Sequence, residues 1–465
     1  MLKLPNNNKG KTVPMHDTIT FAHGLASFDV TADPIIAATN SRKKHTLTCG
    51  TITLELSRTC SVCNGPMDIH QDHEIYLTHI PLQLRPHILR VKRSRSRCRN
   101  CGCTHIQGIP FKDPDHRITK HLRLLIEKRL GEGRTLKSVS REFSIHPSII
   151  KSIDKKRLQR LFENKRPTTY SKYIAIDEFL LHKGHHYATV VIDLESGDIL
   201  WCEEGKKKDQ VYNFIAYMGK NWMSHVKAVC MDMNGQYHSA FNERCPWIAV
   251  IFDKFHLIKL YNDKVLTSMR RRKQAELKEK GDDNRYNLYK GSRYIILSDR
   301  RTLQQKDTHA HENNEKLNKM TLMGLKWPPG ARKMHADHER RLDELLAMND
   351  DLNKAYFLLA QLKYSFEETD SKRLFDGLKT WINMAKESGV VEIISFAKTI
   401  RKRMRSFVCN ATHQITSGKL EGTNNMIKTV RRNSYGIPDT QYFFWKIMEA
   451  SRRPYQQYKS HRILH

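Results

Sequence analysis

Between residues 173 and 260, short apolar runs alternate with helical spacing, and three of the runs end on an aspartate. Tyr173-Ile174-Ala175-Ile176 reads as a buried strand stopping at Asp177. His186 to Ile192 and Ile199 to Glu203 read as strands joined by the turn Glu195-Ser196-Gly197-Asp198. Asp209 to Met218 is spaced as a helix, and Val226 to Met231 is a fourth strand ending at Asp232. A short helix, Gln236 to Asn242, precedes a fifth strand, Trp247 to Phe252, which ends at Asp253 and runs on into a helix. The order is three strands, helix, strand, helix, strand, helix. If the first and fourth strands are neighbours, Asp177 and Asp232 finish side by side.

A third carboxylate comes late. In Glu421-Gly422-Thr423-Asn424-Asn425-Met426-Ile427-Lys428, helical geometry puts Glu421, Asn425, Lys428 and Arg432 on one stripe, with Arg431 beside it. Carboxylates are hard oxygen ligands for divalent metal, and cations hold phosphate.

The charge balance fits that chemistry. Lys plus Arg number 80 against 49 Asp plus Glu, a formal net charge of +31, which favours a polyanionic partner. No apolar run is long enough to cross a membrane, and Met1 to Gly10 is too polar for a signal core, so a cytoplasmic protein is expected. The 465 residues allow two to four domains.

Five of the ten cysteines cluster at Cys60, Cys63, Cys98, Cys101 and Cys103. Two Cys-x-x-Cys knuckles flank strand-like segments, Glu74 to Ile80 and His87 to Lys92. That is the pattern of a zinc ribbon, where tetrahedral thiolate binding of a structural Zn²⁺ replaces a core too small to stand alone. Cys60, Cys63, Cys98 and Cys101 are the expected ligands, with Cys103 an alternative to Cys101. Arg93, Arg95 and Arg97 follow the second strand, as a solvated edge or a phosphate-contacting one.

Ile118 to Leu130, Thr135 to Phe143 and Pro147 to Leu158 are spaced as helices, and the short link Ser144-Ile145-His146 fits a helix-turn-helix. Ser148, Lys151, Ser152 and Lys155 would then face the major groove of double-stranded DNA. The expected division is a mobile lead over 1–45, in which Ile35 to Ala38 has the composition to pack, a zinc ribbon over 46–110 and a helix-turn-helix domain over 112–165. An α/β catalytic domain then covers 171–277 and 406–455, interrupted by a charged helical insertion over 278–405. The fold class is multidomain α+β.

These pieces resemble one family. Ala175-Ile176-Asp177-Glu178, Met231-Asp232-Met233-Asn234-Gly235-Gln236-Tyr237, Asp253-Lys254-Phe255-His256 and the Glu421 to Lys428 segment with Arg431, Arg432, Tyr435 and Gly436 are similar to the DDE transposases of bacterial insertion sequences. The closer likeness is to the ISL-three family, and it runs from about residue 46 to about 450. The resemblance implies a ribonuclease H-like catalytic fold and a triad of Asp177, Asp232 and Glu421 holding two Mg²⁺ (or Mn²⁺). It implies Asp253 and His256 as accessory residues, and DNA contacts from Asn425, Lys428, Arg431 and Arg432. It further implies cleavage at terminal inverted repeats, joining of the 3′ ends to target DNA, an insertion touching the transposon end or a partner subunit, at least a homodimer on DNA, and a nucleoid-associated location.

Bland alternatives stand beside each assignment. Glu178 is a rival ligand to Asp177, and Asp253 is a rival to Asp232, which before Asn234-Gly235 is also a plausible turn residue. Glu421 suits a helix N-terminus for electrostatic reasons alone, and His256 suits a packed histidine. Tyr435 and the stripe at Phe443, Phe444 and Trp445 read as core. A DNA-binding regulator without catalysis, or a structure-selective nuclease of the same fold, are the competing functions.

Overall fold

The computed structural model describes Leu25, Phe28 and residues 30–32, 36–40, 45–54, 58–82, 84–182, 184–416, 418–434 and 437–462. The chain forms two compact units, one of residues 166–428 and one of residues 1–165 together with 429–465.

The 166–428 unit is built on a five-stranded sheet in the order β11-β10-β7-β8-β9. Strands β7 (Tyr173–His182), β8 (His186–Asp193) and β9 (Ile199–Glu204) are antiparallel, and β10 (Ala228–Met231) and β11 (Ala249–Phe252) run parallel to β7. Every residue of β10 is buried, which a strand requires when both faces of its sheet are covered. Ile174, Ile176, Val229, Met231 and Phe252 join one core with Val211 and Phe214 of the helix Lys208–Met218 and with Tyr237 and Phe241 of the helix Gly235–Arg244.

From Ser268 to His413 this unit is mainly helical, with a non-helical stretch over 323–337, and the same core continues through it. Two of its buried aromatic side chains place their polar ends on backbone carbonyls of other helices. Trp381 Nε1 donates to the carbonyl of Leu358 at 2.7 Å, and the Tyr261 hydroxyl donates to that of Ala355 at 2.8 Å.

The other unit carries a six-stranded sheet with the path β1-β3-β5-β4, on which β2 pairs with β3 and β6 pairs with β5. Its spine is the long hairpin of β4 (Met67–Leu82) and β5 (Arg85–Cys98), whose register sets Met67 opposite Cys98. Strand β6 spans Thr104–Ile106. Two strands fall inside the stretch expected to be a lead. β1 (Val30–Ala32) and β2 (Ile36–Asn40) both pair antiparallel with β3 (His45–Leu54). They were hidden because that stretch has few periodic apolar positions, and pairing with β3 supplies what periodicity does not. Leu25 of that lead is buried in the core of this sheet with Phe28 packed against it, and its remaining residues other than His45 lie outside the described residues, as do Tyr435 and Gly436.

Three helices follow, Lys120–Gly131, Leu136–Phe143 and Pro147–Phe162, around a core of Leu122, Ile126, Val139, Phe143 and Ile150. Ser144 adopts a left-handed conformation with φ 54° at the turn, and Pro147 opens the third helix, where its missing N–H costs nothing. The last helix, Thr440–Arg462, packs on that third helix through Tyr442 and Trp445 against Leu158 and Phe162. Phe443 and Phe444 are buried as well, so the aromatic stripe is core. Residues after Lys428 thus group with the N-terminal unit.

A buried ion network joins the two helices. Asp154 accepts from Arg157 at 2.7 Å, Lys446 at 2.7 Å and the Tyr442 hydroxyl at 2.6 Å, and Arg157 also pairs with Glu449. Asp154, Arg157 and Glu449 are all buried. Such a network is tolerable only because each charge has partners.

Candidate active site and cysteine cluster

The sheet register sets out the carboxylates. Ile176 lies opposite Met231, and Met231 lies opposite Phe252. The next residues, Asp177, Asp232 and Asp253, therefore lie side by side where the parallel pairing stops; Asp232 and Asp253 directly follow β10 and β11, whereas β7 does not stop at Asp177 as the sequence predicts but runs on to His182, held by its antiparallel pairing with β8.

The three aspartates differ in what holds them. Asp253 is buried and caps the helix Lys254–Tyr261, accepting the Phe255 N–H at 3.1 Å. His256 Nδ1 lies 2.8 Å from Asp253 Oδ2 and 2.7 Å from Asp232 Oδ1. One N–H aims at one acceptor, and here it aims at Asp253. Asp232 Oδ1 is shielded from solvent and left without a hydrogen bond, though close to a cation. Contact with Asp232 and then Asp253 pushes the imidazole up to about 10.

Asp177 Oδ1 accepts the Glu178 N–H at 2.8 Å, and its Oδ2 accepts the Asn424 amide at 2.7 Å. Burial, and then the charge of Asp232, raise the Asp177 carboxyl to about 6, and the two hydrogen bonds only partly offset this. Two nearby carboxylates are a donor set suited to a hard divalent cation.

Asn424 lies on the helix Gly418–Asn433, one turn after Glu421. Leu420, Thr423 and Ile427 are buried, whereas Glu421, Asn425, Lys428 and Arg432 are exposed along one stripe. Arg431 is half-buried with its guanidinium 5.2 Å from the Phe443 ring centre.

Two site residues escaped the sequence reading. Asn424 falls off the Glu421 stripe, and its signal was only its place one turn after a candidate ligand. Asn234 caps the helix Gly235–Arg244 through Oδ1 and donates to Glu178 Oε2 at 3.3 Å. Glu178 is thus tied to Asn234, while Asp177 is tied to Asn424.

The cysteines sit in two loops of matching form. Asn64 N–H bonds Cys60 O and Cys60 N–H bonds Gly65 O, and likewise Gly102 N–H bonds Cys98 O and Cys98 N–H bonds Cys103 O. Asn64 and Gly102 both have positive φ, 55° and 68°. Cys101 therefore matches Cys63, and Cys103 takes the place of Gly65. The Sγ atoms of Cys60, Cys63, Cys98 and Cys101 all lie within 4.8 Å of one another, and Cys60, Cys103 and His105 form a second, overlapping group. The N–H groups of Cys63 and Val62 hold the Cys60 thiol down to about 5, favouring the thiolate that binds metal.

The basic residues read as DNA contacts are less uniform. Arg97 and Ser148 are exposed, and Arg93 and Arg95 are half-buried on the same face of β5 as Arg97. Lys155 pairs with Asp439 at 2.6 Å, Lys151 lies over the Tyr442 ring, and the Ser152 hydroxyl meets His116 at 3.2 Å. The stripe expected to face a groove is in part engaged with its own unit.

Asp177 and Asp232 thus adjoin on neighbouring parallel strands, and the helix of Glu421 is tied to Asp177 through Asn424, but among the described residues Glu421 does not join the two aspartates in a group of three metal-ligating side chains, which only the cysteine clusters form. The family model for ISL-three DDE transposases, described as transposase, matches residues 174–447, more than half of the chain. The chain belongs to this family of transposases. It is 26% identical over 394 residues to the transposase for insertion sequence element IS1001 of Bordetella parapertussis, covering 84% of this chain and 88% of that protein. The transposase for IS1557 of Mycobacterium tuberculosis is 22% identical over 289 residues, 58% of this chain and 57% of its own length. No helix among the described residues is long and apolar enough to cross a membrane.

Proposed function

We propose that this transposase binds the terminal inverted repeats of an insertion sequence, cuts DNA at the transposon ends and joins the 3′ ends to target DNA. The observation that carries the proposal is the register of Asp177 and Asp232 on adjacent parallel strands, with the Glu421 helix tied to Asp177 through Asn424. Three antiparallel strands followed by two parallel ones support a ribonuclease H-like reading of this sheet.

Asp177, Asp232 and Glu421 would hold two Mg²⁺ or Mn²⁺. Such ions activate an attacking oxygen and stabilise the leaving one in an in-line displacement. His256 braces Asp232 against Asp253, so the row stays fixed while DNA arrives. Lys428, on the same exposed stripe as Glu421, is placed to hold a phosphate beside the scissile bond. Cys60, Cys63, Cys98 and Cys101 would hold structural Zn²⁺, with Cys101 preferred to Cys103 because it matches Cys63. The helical segment around Ser144 would read duplex DNA, and joining two ends calls for at least two copies of the chain.

The test is cleavage of a labelled duplex carrying the element's terminal repeat, in Mg²⁺ or EDTA, by wild type and Glu421→Gln. Mg²⁺-dependent cutting at the repeat boundary, lost in the variant, is the expected result. Binding without cutting by either protein would turn the reading towards a DNA-binding regulator.

A further inference from the structure

We propose that Asn424 is itself a metal ligand of this site, through its carboxamide oxygen. The inference rests on the active-site reading above and adds to it a residue outside the three carboxylates.

The geometry is the argument. Asn424 Nδ2 sits 2.7 Å from Asp177 Oδ2. The other end of the same amide, Oδ1, is shielded from solvent and has no hydrogen-bond donor. A shielded carbonyl oxygen without a partner is uncommon and calls for a reason. Asp232, in electrostatic contact with Asp177, has its Oδ1 ion-paired with His256 at 2.7 Å, so the amide oxygen of Asn424 is left as the orphan beside Asp177.

A half-turn of the amide exchanges nitrogen and oxygen, which are nearly the same size. The oxygen would then stand where the nitrogen stands, at the same separation from Asp177. Neighbouring oxygens in a Mg²⁺ octahedron with bonds of 2.0–2.1 Å are about 2.9 Å apart. The backbone need not move for Asn424 and Asp177 to occupy adjacent corners. Nitrogen towards the carboxylate suits the metal-free site, and oxygen towards it suits the loaded one. Asn424 would thus guard Asp177 before the cation arrives and share the cation afterwards.

A purely structural strut makes the opposite prediction. An amide that only donates to Asp177 competes with the cation, so removing it leaves affinity unchanged or higher. A ligand, once removed, lowers affinity.

The test is Mn²⁺ binding to the full-length, zinc-replete chain, read from the electron paramagnetic resonance of free Mn²⁺, with melting in EDTA as a check on folding. Asn424→Leu should bind Mn²⁺ about tenfold more weakly than wild type, within the range seen when residues around a metal are changed. Asn424→Asp, which keeps an oxygen, should bind at least as tightly as wild type. Asn424→Ser gives the same comparison if leucine unsettles the helix. Wild-type affinity or better in both Asn424→Leu and Asn424→Ser would overturn the inference and leave Asn424 a strut. Asp177→Ala separates the two levels. If it binds Mn²⁺ like wild type, or wild type binds none, the active-site reading fails and this inference falls with it.

Discussion

His256 Nδ1 lies 2.7 Å from Asp232 Oδ1, while the same nitrogen donates to Asp253, so one imidazole braces the ends of two neighbouring strands. Without it, two carboxylates would face each other across a half-buried gap. His256→Gln is expected to destabilise the protein by about 1–3 kcal/mol, the usual cost of leaving a shielded polar group unpaired. The raised imidazole sets the sign with pH. The contribution is complete below the ordinary histidine range and is lost as pH climbs through about 10. Urea unfolding of both proteins between pH 6 and 10 should show the gap closing at the alkaline end.

Asp177 behaves in the opposite sense. Its carboxyl is raised to about 6 by burial and by Asp232, so below that pH a cation must displace a proton. Mn²⁺ affinity should be steady above pH 7 and fall about tenfold per unit below 6. A titration showing no decline down to pH 5 would contradict the raised carboxyl.

The matched loops give a sharp expectation for the cysteines. Cys101→Ser should release zinc and weaken binding to the terminal repeat, whereas Cys103→Ser should keep both. Metal analysis after purification decides it. Equal loss in both variants would mean that the fourth ligand is shared.

Binding to the terminal repeat should weaken steeply with salt, with a log–log slope of about −0.9 for each phosphate neutralised. Lys428→Ala should reduce that slope by about one contact without altering which repeat is preferred. An unchanged slope would remove Lys428 from the DNA contacts.

The network around Asp154 predicts an effect on stability. Glu449→Gln should cost about 3–5 kcal/mol, because Arg157 would stay buried without its full partner. Thermal unfolding checks it, and a change under 1 kcal/mol would place the network in contact with water.

Much of the sheet was legible because strand composition is local. Tyr173 to Ile176 and Val226 to Met231 are short apolar runs that end on aspartates, and the structure pairs them in register. The exposed stripe of Glu421, Asn425, Lys428 and Arg432 was legible for the same reason, since helical period needs only neighbours. Asn424 was not, because its importance comes from Asp177, a residue 247 positions away. Nor was the partnership of Arg157 with Glu449, 292 positions apart, since charges on two helices look like solvated faces until the helices meet. The strands at Val30 and Ile36 were missed because their reason to form lies in β3.

The helix Thr440–Arg462 has a consequence for how the protein is made. Its Tyr442 and Trp445 fill a core whose other half, Leu158 and Phe162, leaves the ribosome almost three hundred residues earlier. The first unit to be translated is therefore the last to be completed, and until then Arg157 and Asp154 wait without Glu449 and Lys446. Domains usually fold as they emerge, in order from the N-terminus. Here the three helices from Lys120 to Phe162 would tighten only on a finished chain, so a truncated product should be protease-sensitive at its N-terminal end. Limited proteolysis of a chain stopped at Lys428, set against the full one, would reveal that delay.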